Sequence, residues 1–439
     1  MNADHDTLLA QHHAEMRRYF WRNYFAHSLD GGLYIGGMAF LAAESVLPPL
    51  IRMLGGPNWL LSLLPTLMMG GFALAPLLAA HRVERLQFVK PFVVFMGIFQ
   101  RLPVLLAGLA LLFWAHDYPH LVLVITAGAP FVTGLAGGFG FSAWIELISK
   151  TIPEDKRAST WSVRYVLAAV IGIFAGVVVK AVLARYPGTE GYALLHFIAF
   201  GFTCGSLLGF LAVREVSKPP SQSRPPSSLR QNLLSIPSLF MADDRLRSFA
   251  LMRMLGAGVL IMLPFLSLHA LDVTGRSSDY VGYFVAAQMS GGICGNLLAG
   301  FLGDRFGGKM PLGLGRMLIA SACLGAAVNT STWGFIALFF TLGMAFSMNN
   351  LSSSVLMIEL SPADRRPTYV SVMALLMFPT MLVAAGVSTL IRDMLHAFWP
   401  AAVVSALMMG ASLLFLARIE EPRRKTSAIV SNSEPGPAQ

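Results

Sequence analysis

Charged residues are scarce in this sequence of 439 amino acids. They make up 13% of the chain, against about 25% in a typical globular domain, and the mean hydropathy is +0.63. The charges crowd into short stretches, and between them lie apolar segments of about 20 residues, long enough to cross a ~30 Å hydrocarbon core. The composition therefore excludes a soluble domain and predicts a protein that crosses a membrane several times.

The apolar segments are expected to be helices. Lipid offers exposed backbone groups no hydrogen-bond partner, and the segments lack the ~10-residue alternation of barrel strands. The predicted fold class is an all-α membrane protein. Its twelve transmembrane helices are expected at about residues 23–51, 57–80, 90–114, 119–147, 161–184, 192–214, 246–271, 279–302, 310–328, 333–360, 369–392 and 397–417.

Cysteine is also rare. The three cysteines fall inside predicted helices with no CxxC pair and no neighbouring histidine, so neither a disulfide framework nor a metal site is expected. The short loops contain no H-x-x-x-x-D, paired-carboxylate or GxSxG arrangement. We therefore predict no catalytic residue, no metal, no cofactor and no enzymatic activity.

Basic residues outnumber acidic ones, 32 to 23. With the N-terminus in the cytoplasm, all but six of these basic residues fall on the inner side, as the positive-inside rule requires. The six are Arg52, Lys180, Arg185, Arg276 and Arg392 outside and Arg101 mid-span. The net charge of +9 is thus explained by the orientation of the chain in the membrane and by contact with anionic lipid headgroups. We expect no nucleic acid as a partner.

The polar N-terminus predicts no removed signal peptide. We expect a multi-pass protein of the plasma membrane, the inner membrane in a bacterium, with both termini cytoplasmic. A polar, proline-rich stretch at 217–228 divides the chain. The expected parts are a cytoplasmic tail at 1–21, an N-terminal six-helix bundle at 22–216, a cytoplasmic linker at 217–245, a C-terminal six-helix bundle at 246–418 and a disordered cytoplasmic tail at 419–439.

A short motif occurs twice, about half the chain apart. Each copy reads Ile-Glu-Leu at the end of an apolar segment, followed by a proline and then by arginine. Its charged residues are Glu146, Arg157, Glu359 and Arg366. Repetition of this kind is typical of secondary transporters, whose two halves move around a shared central site.

A glycine-rich loop between the eighth and ninth predicted helices carries a family resemblance. It reads Gly300-Phe301-Leu302-Gly303-Asp304-Arg305-Phe306-Gly307-Gly308-Lys309. This resembles the G-x-L-x-D-[RK]-x-G-[RK]-[RK] loop of the major facilitator superfamily, with Gly308 where a basic residue is usual. The corresponding stretch at 76–85 has lost the aspartate, which indicates a divergent branch.

The resemblance implies two pseudo-symmetric six-helix bundles and a monomer. It also implies alternating-access transport of a small or amphipathic solute, in which the first and seventh helices line a central cavity. Proton coupling is left open. The signatures of drug antiporters, sugar porters and peptide symporters are absent, so the substrate stays unassigned. Two other readings remain, a polytopic membrane enzyme and a non-transporting sensor or lipid scramblase on the same fold.

Charged side chains inside the apolar segments are candidate functional residues. An ionisable group at the bilayer centre costs at least ~2.5 kcal/mol, so it is normally turned inward and paired. Asp30 and Arg253 lie about two turns into the first and seventh helices and could pair across the halves as an inner gate. The alternative is that each interacts locally near the interface.

Glu44 and Arg101 are expected at the same depth, within one helical turn. They could neutralise each other as a structural pair. If Glu44 faces the cavity instead, it is the best candidate for a proton-carrying carboxylate.

Asn349 and Asn350 fall near the middle of the tenth helix. Adjacent residues point about 100° apart on a helix, so one of them is expected to face the cavity. Gln288 in the eighth helix is either a further cavity residue or a hydrogen-bonding contact between helices.

Overall fold

The computed structural model describes residues 14–83, 88–216, 243–360 and 366–419, together with residues 11, 12, 86 and 241. Within these ranges the chain is helical and contains no strand. The principal helices are α1 (Phe20–Met38), α2 (Leu47–Met53), α3 (Asn58–Val83), α4 (Lys90–Phe113), α5 (Pro119–Thr151), α6 (Glu154–Arg185), α7 (Thr189–Leu211), α8 (Asp244–Gly256), α9 (Leu263–Thr274), α10 (Val281–Phe306), α11 (Lys309–Val328), α12 (Thr332–Leu360), α13 (Arg366–Leu395) and α14 (Trp399–Arg418).

Ten helical segments of the described chain are long and apolar enough to cross a membrane. They correspond to the third to twelfth predicted helices, and the prediction of an all-helical, multi-pass membrane protein is confirmed. The first prediction corresponds to α1 together with α2, and the second to α3. The count of twelve and the cytoplasmic position of both termini stay predictions.

Contacts divide the chain into two compact units. Unit 1 comprises Met1–Ser227 and Leu263–Met289, and unit 2 comprises Ser228–Met262 and Ser290–Gln439. The predicted linker at 217–245 and the tail at 419–439 fall almost entirely outside the described residues. The predicted domain boundaries therefore stay predictions.

Small residues bring helices of unit 1 close together. Gly32 and Gly36 of α1 face Leu167 and Ile171 of α6, and a Cβ atom on either glycine would overlap those side chains. Without a hydrophobic force between helices in lipid, such close approach is a main source of helix association.

The same packing device recurs in both units. In unit 1, Gly134 of α5 lies directly against the backbone of Met68 in α3. In unit 2, Gly291 of α10 lies against the backbone of Phe340 in α12. The second and fourth helices of each predicted half are thus joined through glycine.

Two of the predicted helices are interrupted. A 3-10 segment, Ala39–Leu41, and a turn separate α1 from α2, and another 3-10 segment, Ala257–Ile261, separates α8 from α9. Carbonyls freed by the second break accept hydrogen bonds from serines, Ser405 Oγ to Gly258 O at 2.8 Å and Ser388 Oγ to Ile261 O at 2.6 Å. Such replacement partners are what make an interrupted helix tolerable inside a bilayer.

In each unit, a lysine at the start of one helix donates hydrogen bonds to the last carbonyls of another helix and so caps it. Lys309 Nζ donates to the carbonyls of Ala417 and Ile419 at the end of α14, at 3.2 and 2.6 Å. Lys90 Nζ does the same at the end of α7, where it donates at 2.8 Å to the carbonyls of Leu211 and Val213. A cation is favoured there because the last carbonyls of a helix carry partial negative charge.

Candidate functional site

A cavity of about 360 Å³ lies inside unit 1. Helix α1 and helices α3 to α7 all contribute to its lining. Most of the lining is apolar or aromatic, and the side chains with a charged, amide or phenol group are Asp30, Tyr34, Gln100, Arg101, Arg164 and Tyr165. A mostly apolar cavity with a few convergent polar groups is the usual form of a small-molecule site.

Asp30 of α1 is buried at this cavity. Ser206 Oγ of α7 donates to Asp30 Oδ1 at 2.7 Å. Arg101 Nη2 in turn donates to Ser206 Oγ at 2.9 Å and lies 4.0 Å from the same carboxylate oxygen. The carboxylate therefore has partners within its own unit.

Arg101 of α4 is held by the protein on all three of its nitrogens. Besides the bond to Ser206, its Nε donates to Thr203 O at 2.5 Å and its Nη1 donates to Gly97 O at 2.7 Å. The guanidinium also lies 5.4 Å from the centre of the Tyr34 ring. These contacts fix Arg101 as a positioned, structural charge.

Arg164 of α6 is held differently. Its guanidinium lies over the Trp144 and Trp161 rings, 4.7 and 5.4 Å from their centroids. Its Nη1 is 3.9 Å from Asp30 Oδ2, which is ion-pair range but too long for a hydrogen bond. Its Nε is buried without a partner, and the guanidinium makes no hydrogen bond to any described residue.

The glycine at position 31 leaves the space that the Arg164 side chain occupies. A Cβ atom at Gly31 would overlap the Nε, Cγ and Cδ atoms of Arg164. The cluster of Asp30, Arg101 and Arg164 therefore depends on a missing side chain in α1 as well as on the charged residues.

The predicted pair of Glu44 with Arg101 does not form. Arg101 lies against Asp30, whereas Glu44 lies in the turn before α2 and accepts a hydrogen bond from Gln288. Glu44 lines a second cavity of unit 1, of about 180 Å³, together with His196. Equal depth in the membrane was not enough to predict a pair, because depth does not determine which face of α4 carries Arg101. The face that carries Arg101 packs against α7.

The other predicted site residues are spread over both units. Asp30 belongs to unit 1 and Arg253 to unit 2, so the inner-gate pair stays a prediction. Asn349 and Asn350 lie in unit 2, where Asn349 Oδ1 is buried with no hydrogen-bond partner among the described residues and Asn350 is exposed. Gln288 lies in unit 1. Their role in a shared cavity also stays a prediction.

The glycine-rich loop at 300–309 contains the end of α10 and the start of α11. Gly307 has a φ of 86°, a conformation that favours glycine, and its amide donates to Gly303 O at 3.0 Å. Gly300 lies one turn earlier on α10, and Asp304 and Arg305 are exposed on the same helix. Lys309 caps the C-terminal end of α14.

In the first half, the repeated motif caps the C-terminal end of α5. Arg157 donates from Nε to Ile152 O and from Nη2 to Ser149 O, both at 3.2 Å, and so caps the end of α5. Ser149 Oγ donates to the backbone and side chain of Glu146. In the second half Glu359 is half-buried, and the side chain of Arg366 lies outside the described residues.

Sequence reasoning missed two buried arginines. Arg164 was not singled out as a site residue, and Arg316 of α11 was overlooked. Arg316 Nη1 donates to Met252 O at 3.0 Å and to Ser412 Oγ at 2.8 Å, and it lies within electrostatic range of Arg253. The signal was present for both, since each is an isolated arginine in an otherwise apolar segment.

The described residues contain no group of three or more histidine, cysteine, aspartate or glutamate side chains placed to hold a metal ion. The cavity of unit 1 supplies polar groups for non-covalent contacts. It can bind and orient a small molecule through guanidinium, phenol and amide donors inside an apolar wall.

Comparison with solved structures shows a shared fold. A D-xylose-proton symporter matches with a TM-score of 0.67 and 15% identity, covering 92% of this chain and 99% of that one. A point mutant of the nucleoside transporter NupG also matches with a TM-score of 0.67, with 14% identity over 91% of this chain and 98% of that one.

Sequence comparison agrees with the fold. A D-xylose transporter of Levilactobacillus brevis is 31% identical over 103 residues, a match that spans 24% of this chain and only 22% of that transporter. The family model of the Major Facilitator Superfamily matches residues 248–436. That match contains the glycine-rich loop at 300–309, and the shared fold extends over nine-tenths of the chain. Residues 248–436, somewhat less than half of the chain, are therefore similar to the Major Facilitator Superfamily, the family that the glycine-rich loop resembles.

Proposed function

We propose that the protein is a secondary active transporter that moves a small or amphipathic solute across the membrane by alternating access. The observation that carries the proposal is the buried cluster of Asp30, Arg101 and Arg164 at the wall of a cavity inside an apolar helical bundle. Charged groups at such a position are costly, and they are typical of substrate and ion pathways. The match of residues 248–436 to a transporter family and the fold shared with solved transporters support a transporter rather than an enzyme.

The named relatives suggest first candidates for the solute. One is a D-xylose transporter, one a D-xylose-proton symporter and one a nucleoside transporter. D-Xylose and a nucleoside are therefore the first two compounds to test.

Contacts at the predicted outer end of unit 1 support alternating access. Arg52, in the last turn of α2, makes two hydrogen bonds to the Asp272 carboxylate of α9, at 2.7 and 2.8 Å. Lys180 of α6 lies 5.1 Å from the Tyr283 ring centre in α10. We name these two contacts the outer latch, and we propose that it opens when the solute site turns outward.

Glu44 is the proposed site of proton coupling. Its carboxylate accepts a hydrogen bond from Gln288, whose own Oε1 is buried without a partner among the described residues. A proton on Glu44 would turn an acceptor into a donor and so change this contact with α10. Loading a proton would then alter a contact between the first half and a segment near the outer latch.

Transport is tested with the purified full chain in proteoliposomes. The solutes are radiolabelled D-xylose, a radiolabelled nucleoside and a radiolabelled small aromatic acid, each with and without an imposed pH gradient. Counterflow of at least one solute is expected. Chemical conversion of a solute would contradict the proposal in favour of an enzyme, and flipping of a fluorescent lipid without solute flux would favour a scramblase.

The variant Glu44→Gln tests the coupling role in the same vesicles. It should abolish uphill accumulation and leave counterflow intact, because exchange requires no net proton release. Gln288→Glu is the companion variant, which places a second acceptor against Glu44 and should shift the pH dependence. Uphill transport by Glu44→Gln with an unchanged response to the pH gradient would remove Glu44 from the mechanism.

A further inference from the structure

We propose that the cavity of unit 1 binds an amphipathic organic monoanion, a carboxylate with an apolar body, through Arg164 and Tyr34. This inference rests on the proposed transport function, because it names the class of solute for that same site. It is argued from hydrogen bonds, from charge and from the composition of the cavity wall.

The hydrogen bonds of the two arginines are the first argument. The three nitrogens of Arg101 are all bonded to protein oxygens. Arg164 has no hydrogen bond to a described residue and its Nε is buried without a partner. Buried donors are normally satisfied, and a guanidinium presents a planar pair of N–H groups that matches a carboxylate. The N–H groups of Arg164 are thus free to bind a ligand in this cavity, and a guanidinium is the side chain best suited to a carboxylate.

Tyr34 supplies a second unsatisfied donor. Its phenolic oxygen is buried with no hydrogen-bond partner among the described residues, and Tyr34 and Arg164 line the same cavity. A carboxylate has two oxygens that accept several hydrogen bonds, whereas a neutral alcohol or amide accepts fewer. An anion would satisfy both groups at once.

The charge of the cluster is the second argument. Arginine stays protonated in proteins, so the cluster holds two positive charges against the one carboxylate of Asp30. One positive charge is left without a counter-charge among the described residues of the cavity. A bound monoanion would balance it, whereas a neutral sugar would not and a dianion would leave a buried negative charge.

The wall is the third argument. Trp144 and Trp161 flank the Arg164 guanidinium, and Phe72, Phe141 and Phe210 complete an aromatic surface. The two indole rings hold the guanidinium in a defined orientation. Beyond the charged cluster and Tyr34, the polar side chains of the wall are Gln100 and Tyr165, which are few for a polyhydroxylated solute, so an apolar body fits the wall better.

The test is a comparison of three compounds of the same shape. Binding of 4-phenylbutyrate, 4-phenylbutyramide and 4-phenylbutylamine to the purified full chain is measured by calorimetry and by the fluorescence of the tryptophans at the cavity. The acid is expected to bind about tenfold more tightly than the amide, the ratio that one charged hydrogen-bonding contact supplies. The amine is expected to bind weakest. Equal affinity of acid and amide, or binding by none of the three, would overturn the proposal.

Variants then locate the binding. Arg164→Gln should abolish the preference of the cavity for acid over amide, and Tyr34→Phe should reduce it. Arg185→Gln is the matched control, since Arg185 lies on the same helix and is exposed at its end. If Arg164→Gln keeps the preference, Arg164 is not the anchor and the proposal fails. If that variant does not fold, the wild-type comparison and Tyr34→Phe decide the question.

The outcome is separable from the transport proposal. Preferential binding of the acid without flux of any solute would support the site and contradict transport. Counterflow of D-xylose or a nucleoside with no preference for the acid would support transport and overturn the anion site.

Discussion

At the scale of single residues, the site is built from charges that the protein uses unequally. Arg101 is tied to three oxygen atoms of α4 and α7, and Asp30 is shared among Ser206 and two guanidinium groups. Arg164 rests on aromatic rings and lies in ion-pair range of Asp30, but it makes no hydrogen bond to a described residue. One arginine thus shapes the cavity and the other is available to a ligand.

The role of Asp30 in holding this cluster predicts a strong, non-additive effect. Asp30→Asn leaves two buried guanidiniums without a counter-charge and should destabilise the protein by about 3 kcal/mol. Asp30→Asn combined with Arg101→Leu should be more stable than the sum of the single changes implies, with a coupling of at least ~1 kcal/mol. Equilibrium unfolding in mixed detergent micelles measures all three. Additive effects would show that the two side chains do not interact.

The space at Gly31 predicts a steric effect on the site. Gly31→Ala places a Cβ on the Arg164 side chain, and it should destabilise the protein by about 1–3 kcal/mol as the arginine is displaced. The control is Gly128→Ala in α5, where a Cβ would meet nothing within 4 Å and which should be neutral or stabilising. Thermal unfolding of both variants gives the comparison. Similar stability of the two would mean that Arg164 adapts without cost.

Sequence could name Asp30, Glu44 and Arg101, because isolated charges stand out in apolar segments. It could not give their partners. Which neighbour a side chain meets depends on the rotation of each helix about its axis, and the α4 pattern alone does not fix that rotation. The result was a wrong partner for Arg101 and no role for Arg164.

At the scale of helices, the sequence predicted the third to twelfth apolar segments to within a few residues except at ends that extend beyond the apolar core. The breaks in the first and seventh helices were not predictable. The carbonyls freed by the break in the seventh helix accept hydrogen bonds from Ser388 and Ser405, which lie more than a hundred residues further along the chain. Long-range hydrogen bonding of this kind leaves no local signal.

Helix ends give a prediction that compares the two halves. Lys309→Met removes the donor to the last carbonyls of α14 and should cost about 1 kcal/mol, and Lys90→Met should cost a similar amount at α7. Hydrogen exchange measured by mass spectrometry should show faster exchange confined to the end of α14 or α7 respectively. Exchange that changes equally throughout the chain would contradict a local capping role.

At the scale of the whole molecule, the chain passes from unit 2 to unit 1 at the break in the seventh predicted helix. Unit 2 gives way to unit 1 between Met262 and Leu263, directly after the 3-10 segment Ala257–Ile261. The outer part of that predicted helix, α9, thus packs with the first half, where Asp272 meets Arg52. A break without regular α-helical bonding is where a helix bends at least cost, so we expect motion of α9 to centre on this segment.

The outer latch gives the corresponding test. Arg52 and Asp272 are 46% and 48% exposed, and an exposed ion pair contributes about 1 kcal/mol at most. Breaking it should therefore shift a conformational equilibrium by up to about fivefold without unfolding the protein.

The reporter is Ala286→Cys, beside Gly176 in the packed contact of α10 with α6, in a chain whose three native cysteines are replaced by serine. Asp272→Arg should speed the labelling of this cysteine by a membrane-impermeant thiol reagent from the predicted outer side, because two like charges then face each other. The double variant Arg52→Asp with Asp272→Arg should return labelling towards the original rate. The exposed Asp117→Asn, in the loop after α4 on the same predicted side, is the control and should change nothing. Labelling that stays constant in Asp272→Arg would mean that the latch does not hold α9 and α10 in place, and the opening motion would then have to begin elsewhere.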